Sequence, residues 1–362
     1  MHRSDYIYVE SFIYLSDIKY IYYVFGVVLV DLRKIQVTGG SSYMITLPKD
    51  WVDNNNLTKN RPVGVLQQPD GTLTIVPKLT GESVVRKKVI SVGDSFSPRY
   101  LFRLLVGAYV MGYTLIDVES ESHMGTDKRE AVTEFIQVAV GPEIVEETDN
   151  FIQIRDLLNP VEMPFANTLN RMHVLITTMR KDAISTLSKK GIKLAEDVVS
   201  RDVEVNRLHW LIAHQYNLLV NNPLLSKNMG VLPQEARFHY LASMIMERIS
   251  DHTVTIAKNA PSLTSKKYKP VRESIRAAND TAMGIFNESM NSWFNNDVLN
   301  ANRTIESLPD LDPLCNSISA EAYGIEPQKI HSVDHIAESI RRTGEYSANI
   351  CELIIDHLIG EV

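Results

Sequence analysis

The sequence predicts an α+β protein of several domains, in which a β-rich N-terminal part and a small α/β part precede a long helical half. Three observations predict this fold class. Short runs of alternating apolar and polar residues flank a Gly-Gly pair and an Asp-Gly pair after residue 31. Strand-like and helix-like segments then alternate as far as residue 158. Beyond residue 163, apolar residues recur every three or four positions, which is typical of helices packed in a bundle.

Composition limits the classes of protein that the chain can belong to. Its 362 residues, 44% of them hydrophobic, can bury a core and fill two or three domains. A net charge of -7 argues against a protein that coats nucleic acid with its whole surface. Cys315 and Cys351 lie far apart and form no disulfide framework, so we expect a cytoplasmic protein.

Residues 1–30 form an atypical extension that holds six of the fifteen tyrosines. Its apolar run, from Tyr20 to Val30, is shorter than the roughly 18 to 20 residues that a membrane span needs, so no transmembrane segment is predicted. We expect that residues 1–29 are not part of the working protein and that translation begins near Val30. The alternative is a short segment that binds a membrane surface or a partner.

Residues 31–80 are predicted to form a β domain. Ile35 and Val37 begin one strand pair around the Gly-Gly turn, and Pro48 then opens a short helical turn. A second pair, residues 63–67 and 72–76, is joined by Pro69-Asp70-Gly71, which is a strong hairpin signal.

The order of these features, a strand, Leu47-Pro48-Lys49, a turn and an Asp-Gly hairpin, resembles the SpoVT/AbrB-like domain. The resemblance implies a swapped-hairpin homodimer that binds DNA, or serves as an antitoxin, through basic residues of the first strand and loops. The cations within reach are Arg33, Lys34, Lys49, Lys59 and Arg61.

Charge supports a DNA-binding role for this end of the chain. Residues 31–88 hold nine Lys or Arg against five Asp or Glu, although the whole chain is acidic. Such a basic face can neutralise DNA phosphates in a salt-dependent way. The alternative is a domain that only dimerises the chain.

Residues 85–158 are predicted to form a small α/β connector of strands and two helices, with strand-like material at 144–154 split by polar residues 147–150. It carries no Gly-rich phosphate loop and no nucleophile elbow. We expect it to relay the state of the helical half to the β domain, and a small-ligand pocket is the alternative.

Two acids mark the helical half. Glu247 and Asp251 lie four residues apart, on one face of a helix whose apolar stripe includes Ile245 and Ile249. Two carboxylates on one face are either a hard-cation site or a solvated acidic surface. The stripe returns from Ile336 to Ile354 at a constant offset of 94 residues, which indicates an internal duplication.

The run from Glu247 through Arg248-Ile249-Ser250 to Asp251, followed by Ile256, resembles the repeated helix of the PhoU family of phosphate-signalling regulators, with Ser in place of Gly. The second copy, residues 341–345, keeps Gly344 and Glu345 but has Arg341 in place of the first acid. A second signature of the family, Asp followed by Val-Asn three and four residues on, occurs as Asp202, Val205 and Asn206.

The resemblance implies two three-helix bundles, at residues 163–263 and 269–358. It also implies that an iron or zinc cluster is held in the first bundle by Asp202, Glu247 and Asp251. In the second bundle we expect no metal but an Arg341–Glu345 ion pair. Because Pro309 breaks the matching helix, we expect no counterpart of Asp202 there.

Other constellations carry less chemistry. His331 and His335 are spaced for a metal on one helix face, but no third ligand can be placed, and packing or capping roles are favoured. His209 and His214 are interpreted as packing or surface residues. No catalytic triad or Walker sequence is present, so we do not expect an enzyme.

Two functions follow from the resemblances. In the first, a DNA-bound dimer senses phosphate status through its helical half and acts negatively on phosphate uptake. In the second, the chain is an adaptor that docks on the ATPase of a phosphate ABC transporter or on a sensor kinase, and its β domain only dimerises it.

Overall fold

The computed structural model describes residues 20–21, 30–67, 71–77, 85–93, 95–188 and 191–359. The chain divides into two compact units, residues 1–80 and 81–362. Most of the predicted N-terminal extension and the centre of the Asp-Gly hairpin turn lie outside the described residues. None of the helices in the described ranges is long and apolar enough to cross a membrane.

The N-terminal unit contains short antiparallel strand pairs and one short helix. The two hairpins expected from the sequence are present, each as its own two-stranded sheet. Gly39 and Gly40 adopt positive φ in the first turn, which glycine does without a steric cost. The elements are β1 (Tyr20–Ile21), β2 (Val30–Asp31), β3 (Gln36–Thr38), β4 (Ser42–Met44), α1 (Lys49–Asn54), β5 (Gly64–Gln67) and β6 (Leu73–Val76).

This unit buries almost none of its apolar side chains. Among residues 32–67 and 71–77, Gly64 alone is buried. Val37 is 65% exposed, Tyr43 78% and Leu73 66%. An isolated two-stranded hairpin is at best marginally stable in water, so these strands need further contacts to be stable.

The connector forms a four-stranded sheet with two helices. Its strand order is β7-β8-β10-β9, in which β7 and β8 are parallel and the other pairs are antiparallel. Parallel neighbours need a crossover, and α2 supplies it, beginning after the N-cap Ser97 with Pro98 in its first turn. The elements are β7 (Lys87–Ser91), α2 (Pro98–Val110), β8 (Leu115–Glu119), α3 (Thr126–Val138), β9 (Pro142–Glu147) and β10 (Phe151–Asp156).

The helical half consists of two sets of long helices that share one core. The described helices are α4 (Phe165–Ser185), α5 (Gly191–Val220), α6 (Pro223–Met229), α7 (Pro233–Asn259), α8 (Lys269–Asn295), α9 (Val298–Glu306), α10 (Leu311–Glu321) and α11 (Pro327–Leu358). The apolar stripes expected on α7 and α11, including Ile249 and Ile350, are buried. Pro309 lies in a 3-10 turn at 308–310 that separates α9 from α10, as expected of a helix-breaking proline.

A buried polar contact joins the connector to the helical half. His214 of α5 is fully buried and stacks on Tyr109 of α2 with ring centroids 4.2 Å apart. Its Nδ1 donates to the Tyr109 carbonyl oxygen at 2.6 Å, and its Nε2 lies 2.8 Å from the Asp156 carboxylate. Trp210, one turn earlier on α5, packs against the connector core. The connector and α5 are therefore held together by a buried contact between an imidazole and a carboxylate inside a packed interface.

Candidate functional sites

Three carboxylates meet where α5 packs against α7. Ser250 is buried on α7 and its Oγ donates to Asp202 Oδ1 at 2.6 Å. Asn206, one turn after Asp202 on α5, donates from Nδ2 to Asp202 Oδ2 at 3.2 Å. Glu247 is half-buried and Asp251 is exposed. The Ser that stands in place of the Gly of the motif thus fixes the acid of the neighbouring helix.

Burial and neighbouring charges raise the pKa values of Glu247 and Asp251. Burial, followed by the charges of Asp251 and Asp202, raises the pKa of Glu247 to about 7. Burial and the charge of Asp202 also raise the pKa of Asp251 above its usual range. A bound cation would relieve this crowding, because an opposite charge nearby favours ionised carboxylates.

The geometry meets only part of what a metal site needs. Both oxygens of Asp202 already accept hydrogen bonds from Ser250 and Asn206. Within the part of the chain that the structure describes, no group of three or more His, Cys, Asp or Glu side chains is arranged to hold a metal ion. The cluster therefore has the electrostatics of a cation site, and Glu247 and Asp251 are its two carboxylates that accept no hydrogen bond within the described part of the chain.

In the second repeat, an arginine side chain pairs with an acid of the neighbouring helix α10. Arg341 Nη1 donates to Asp312 Oδ1 at 2.6 Å, and its Nη2 donates to Asn316 Oδ1 at 3.3 Å. Glu345 instead pairs with Arg342, at 2.8 Å. The predicted Arg341–Glu345 ion pair is wrong, because Arg341 reaches across to α10.

Asp312 is the counterpart of Asp202 that the sequence reasoning missed. Asp312, Cys315 and Asn316 keep the spacing of Asp202, Val205 and Asn206, with Cys in place of Val. The expectation that the Pro309 break removes this acid is therefore wrong. The four-residue spacing of Asp and Asn was the available signal. Asp312, however, lies 110 residues after Asp202, whereas the copies of the Glu247 motif lie 94 residues apart.

Gly344, the counterpart of Ser250, lies against the shortened helix α10. A Cβ atom at this position would stand 2.5 Å from Leu311 Cδ2 and 3.1 Å from Leu308 Cδ1. Leu311 is itself buried. An alanine here would therefore have to displace the buried Leu311 side chain, because α11 approaches the turn at Pro309 closely.

The candidate DNA-binding residues lie at three places of the N-terminal unit: before β3, at the start of α1, and in the loop between α1 and β5. Arg33 is half-buried and its Nη1 donates to Thr46 Oγ1 at 3.5 Å. The other four cations are exposed, and they are Lys34, Lys49, Lys59 and Arg61. These four cations are accessible to solvent, and Arg33 contacts the loop after β4.

The histidines and cysteines singled out from the sequence lie in ordinary structural surroundings. His331 and His335 are exposed on α11. Burial lowers the pKa of His209 to about 4, and its Nδ1 lies 3.0 Å from Ser243 Oγ. Cys315 and Cys351 are buried free thiols.

Two family models match the chain. Residues 169–260 match the PhoU domain, and residues 36–82 match the antidote-toxin recognition MazE, a bacterial antitoxin. Both resemblances drawn from the sequence are confirmed. The first match contains Asp202, Glu247 and Asp251, and the second begins just after Arg33 and Lys34.

One relative and two solved structures have similar chains. The phosphate-specific transport system accessory protein PhoU homolog of Clostridium acetobutylicum is 20% identical over 202 residues, 53% of this chain and 90% of the relative. PhoU from Pseudomonas aeruginosa has a TM-score of 0.48 and 18% identity, covering 54% of this chain and 96% of that one. The phosphate transport system regulatory protein PhoU from Streptococcus pneumoniae has a TM-score of 0.46 and 17% identity, covering 54% and 94%.

Proposed function

We propose that this chain, which carries a PhoU domain and a MazE-type antitoxin domain, is a cytoplasmic transcription regulator that acts negatively on phosphate uptake. The observation that carries the proposal is the presence of both domains on one chain. Its PhoU-domain relative is named for phosphate-specific transport. The role is regulatory rather than enzymatic.

The N-terminal unit supports a dimer that holds DNA. Its exposed apolar side chains, including Val37, Tyr43 and Leu73, would be covered by a second copy. Two copies would also double the number of basic residues, and cations that contact phosphates bind DNA by releasing its counterions.

DNA binding is tested with labelled promoter DNA from the protein's own phosphate-transport genes, across a salt series. We expect the full chain to bind with a steep salt slope, and the Arg33→Ala/Lys34→Ala variant to bind more weakly. The slope of log K against log salt should fall by about 0.9 for each phosphate that the variant no longer neutralises. The matched control is Lys193→Ala/Lys266→Ala, which removes two exposed lysines of the helical half and should bind as the wild type does.

The adaptor function is the second candidate, and the exposed apolar residues of the N-terminal unit favour it equally. If the full chain is a dimer but binds no promoter DNA at low salt, the regulator proposal fails. The adaptor proposal then predicts binding to the purified phosphate-transporter ATPase or to the sensor kinase, unchanged by Arg33→Ala/Lys34→Ala.

We further propose that Glu247 and Asp251, next to Asp202, bind iron or zinc. The support is the grouping of these three acids, together with the burial and the neighbouring charges that raise the pKa of Glu247. Thermal unfolding at pH 7.5 with added Zn²⁺ or Fe²⁺ should show a rise in Tm that Glu247→Gln loses. Glu196→Gln, at an exposed acid of α5, is the matched control and should keep the rise. An equal rise in Tm in all three proteins would place the metal elsewhere.

A further inference from the structure

A cavity of about 320 Å³ opens between α4 and α8, the first helices of the two repeats. Polar side chains from both helices line it. Those of α4 are Thr177, Arg180, Lys181 and Ser185, and those of α8 are Arg276, Asn279 and Asp280.

Arg180 is the unusual member of this lining. Its side chain is 1% exposed, and its Nη2 donates to the Thr343 hydroxyl of α11. Nε and Nη1 are buried and have no hydrogen-bond partner among the described residues. None of the described carboxylates forms an ion pair with it, and burial lowers the pKa of its guanidinium to about 9. Three N–H bonds of a buried cation are thus left without an acceptor.

An unpaired buried charge costs several kcal/mol, so it calls for a partner. Two further side chains that line the same cavity also have a buried polar atom without a hydrogen-bond partner. Thr177 Oγ1 and Asn279 Oδ1 are buried and have no partner in the described part of the chain. Three side chains that line one cavity therefore hold unused hydrogen-bonding capacity on buried atoms.

The charge of the cavity selects the sign of the ligand. Lys181 and Arg276 line it together with Arg180, and Asp280 is the carboxylate among the lining residues. The excess of cations favours an anion. Guanidinium, ammonium, hydroxyl and amide groups together are the donors that bind tetrahedral oxyanions, because such anions offer several acceptor oxygens.

We propose that the cavity between α4 and α8 binds a tetrahedral oxyanion, either inorganic phosphate or the phosphate group of an ester, with Arg180 as its buried donor. Thr177 donates its hydroxyl proton, and Asn279 turns its amide so that Nδ2 faces the anion. Lys181 and Arg276 close the outer side. The inference rests on the cavity alone and does not depend on the proposed role in phosphate uptake.

The test is calorimetric titration and thermal unfolding of the full chain with inorganic phosphate and with sulfate, at an ionic strength held constant with chloride. The wild type should bind, and its Tm should rise with either anion. Arg180→Met keeps the side-chain volume but removes the donors, and should bind about ten- to hundredfold more weakly, as expected for the loss of a charged hydrogen-bonding group.

If Arg180→Met does not fold, a matched pair of surface variants still tests the proposal. Lys181→Gln, which lies at the cavity, should weaken anion binding, whereas Lys193→Gln, an exposed lysine of α5, should leave it unchanged. Arg276→Gln should weaken binding from the opposite helix. Titration with glycerol 3-phosphate separates the two sources of the ligand, since tighter binding than that of inorganic phosphate assigns the remaining volume to an ester.

Two outcomes overturn the proposal. One is no heat and no change in Tm with any of these anions, accompanied by a higher Tm of Arg180→Met, which would make Arg180 an uncompensated buried charge. The other is binding that Arg180→Met, Lys181→Gln and Arg276→Gln all leave intact, which would place the anion elsewhere. Neither outcome bears on binding to promoter DNA, which is measured separately.

Discussion

At the scale of single residues, partly buried acids of the helical half have pKa values that depend on burial and on neighbouring charges. Glu247 is the clearest case, because burial and two adjacent carboxylates raise its pKa to about 7. Its charge is therefore unfavourable to the folded state at neutral pH.

Glu247→Gln should change the pH dependence of stability. Since the pKa of Glu247 in the folded protein lies above its ordinary value of 4.5, the folded state binds more protons between pH 4.5 and 7. Stability from this group is thus present at acidic pH and is lost as the pH rises through that window. Above pH 7, ionised Glu247 lowers the free energy of unfolding by about 1–2 kcal/mol, a value discounted because the side chain is partly exposed.

The measurement is the urea midpoint, followed by circular dichroism, at pH 4.5 and pH 8. Glu247→Gln should exceed the wild type at pH 8 and match it at pH 4.5, and Glu196→Gln should follow the wild type at both values. A constant difference between Glu247→Gln and the wild type across this range would contradict the raised pKa.

At the scale of elements, the motif helix of each repeat packs against its neighbouring helix through different residues. Ser250 of α7 donates to Asp202, whereas Gly344 of α11 leaves room for Leu311. The break at Pro309 explains the difference, since it brings the start of α10 against α11.

Gly344→Ala should therefore destabilise the helical half, although alanine favours helices. The added Cβ would lie 2.5 Å from Leu311 Cδ2, and overpacking a core costs about 1–3 kcal/mol. Gly284→Ala is the matched control, because Gly284 lies in α8 with no atom within 4 Å of the added Cβ. It should raise stability by up to about 1 kcal/mol. Urea unfolding of both variants distinguishes these effects, and equal shifts would contradict the close approach at Gly344.

The His214–Asp156 pair gives a second prediction for packed elements. Asp156→Asn keeps the shape but removes the carboxylate that faces His214 Nε2 at 2.8 Å, and leaving a buried hydrogen-bonding group unsatisfied costs about 1–3 kcal/mol. Hydrogen exchange should show faster exchange in β10 and in α5 near His214. The exposed pair Lys269–Glu273 is the control, and Glu273→Gln should change stability by less than about 1 kcal/mol. Unchanged protection in Asp156→Asn would show that packing alone holds the connector.

The sequence predicted these elements well where local signals determine them. The Gly-Gly hairpin, the split strand material at 144–154 and the helix break at Pro309 follow from turn chemistry and periodicity. Asp312 was missed because the longer C-terminal part of α5, together with α6, lengthens the first repeat between Asp202 and α7, which changes the offset. Arg180 could not be identified because an isolated arginine in a helix gives no local signal of burial; its burial depends on α8 and α11.

At the scale of the whole molecule, the proposed dimer gives a prediction for the N-terminal unit. Its apolar side chains face solvent in the single chain, so a second copy is the simplest cover. Val37→Ser/Leu73→Ser should weaken the dimer by more than about a hundredfold, since each lost side chain is present twice and contributes about 1 kcal/mol or more. Analytical ultracentrifugation over a concentration series measures this change.

Val174→Ser is the control for the loss of an exposed apolar side chain, because Val174 is 58% exposed on α4 of the helical half. It should leave the dimer intact. A wild-type chain that stays monomeric at micromolar concentration would contradict the association of the N-terminal unit.

The guanidinium of Arg341 occupies, in the second repeat, the sequence position that Glu247 holds in the first, and it neutralises Asp312 at 2.6 Å. This repeat thus carries a counterion that is covalently tethered and cannot be exchanged or chelated. Its acid has a partner within the chain, whereas none of the ion pairs in the described ranges involves Asp202, Glu247 or Asp251. One polypeptide therefore contains a copy of the motif with an internal counterion beside a copy that, under the metal-binding proposal, is left open to an exchangeable one.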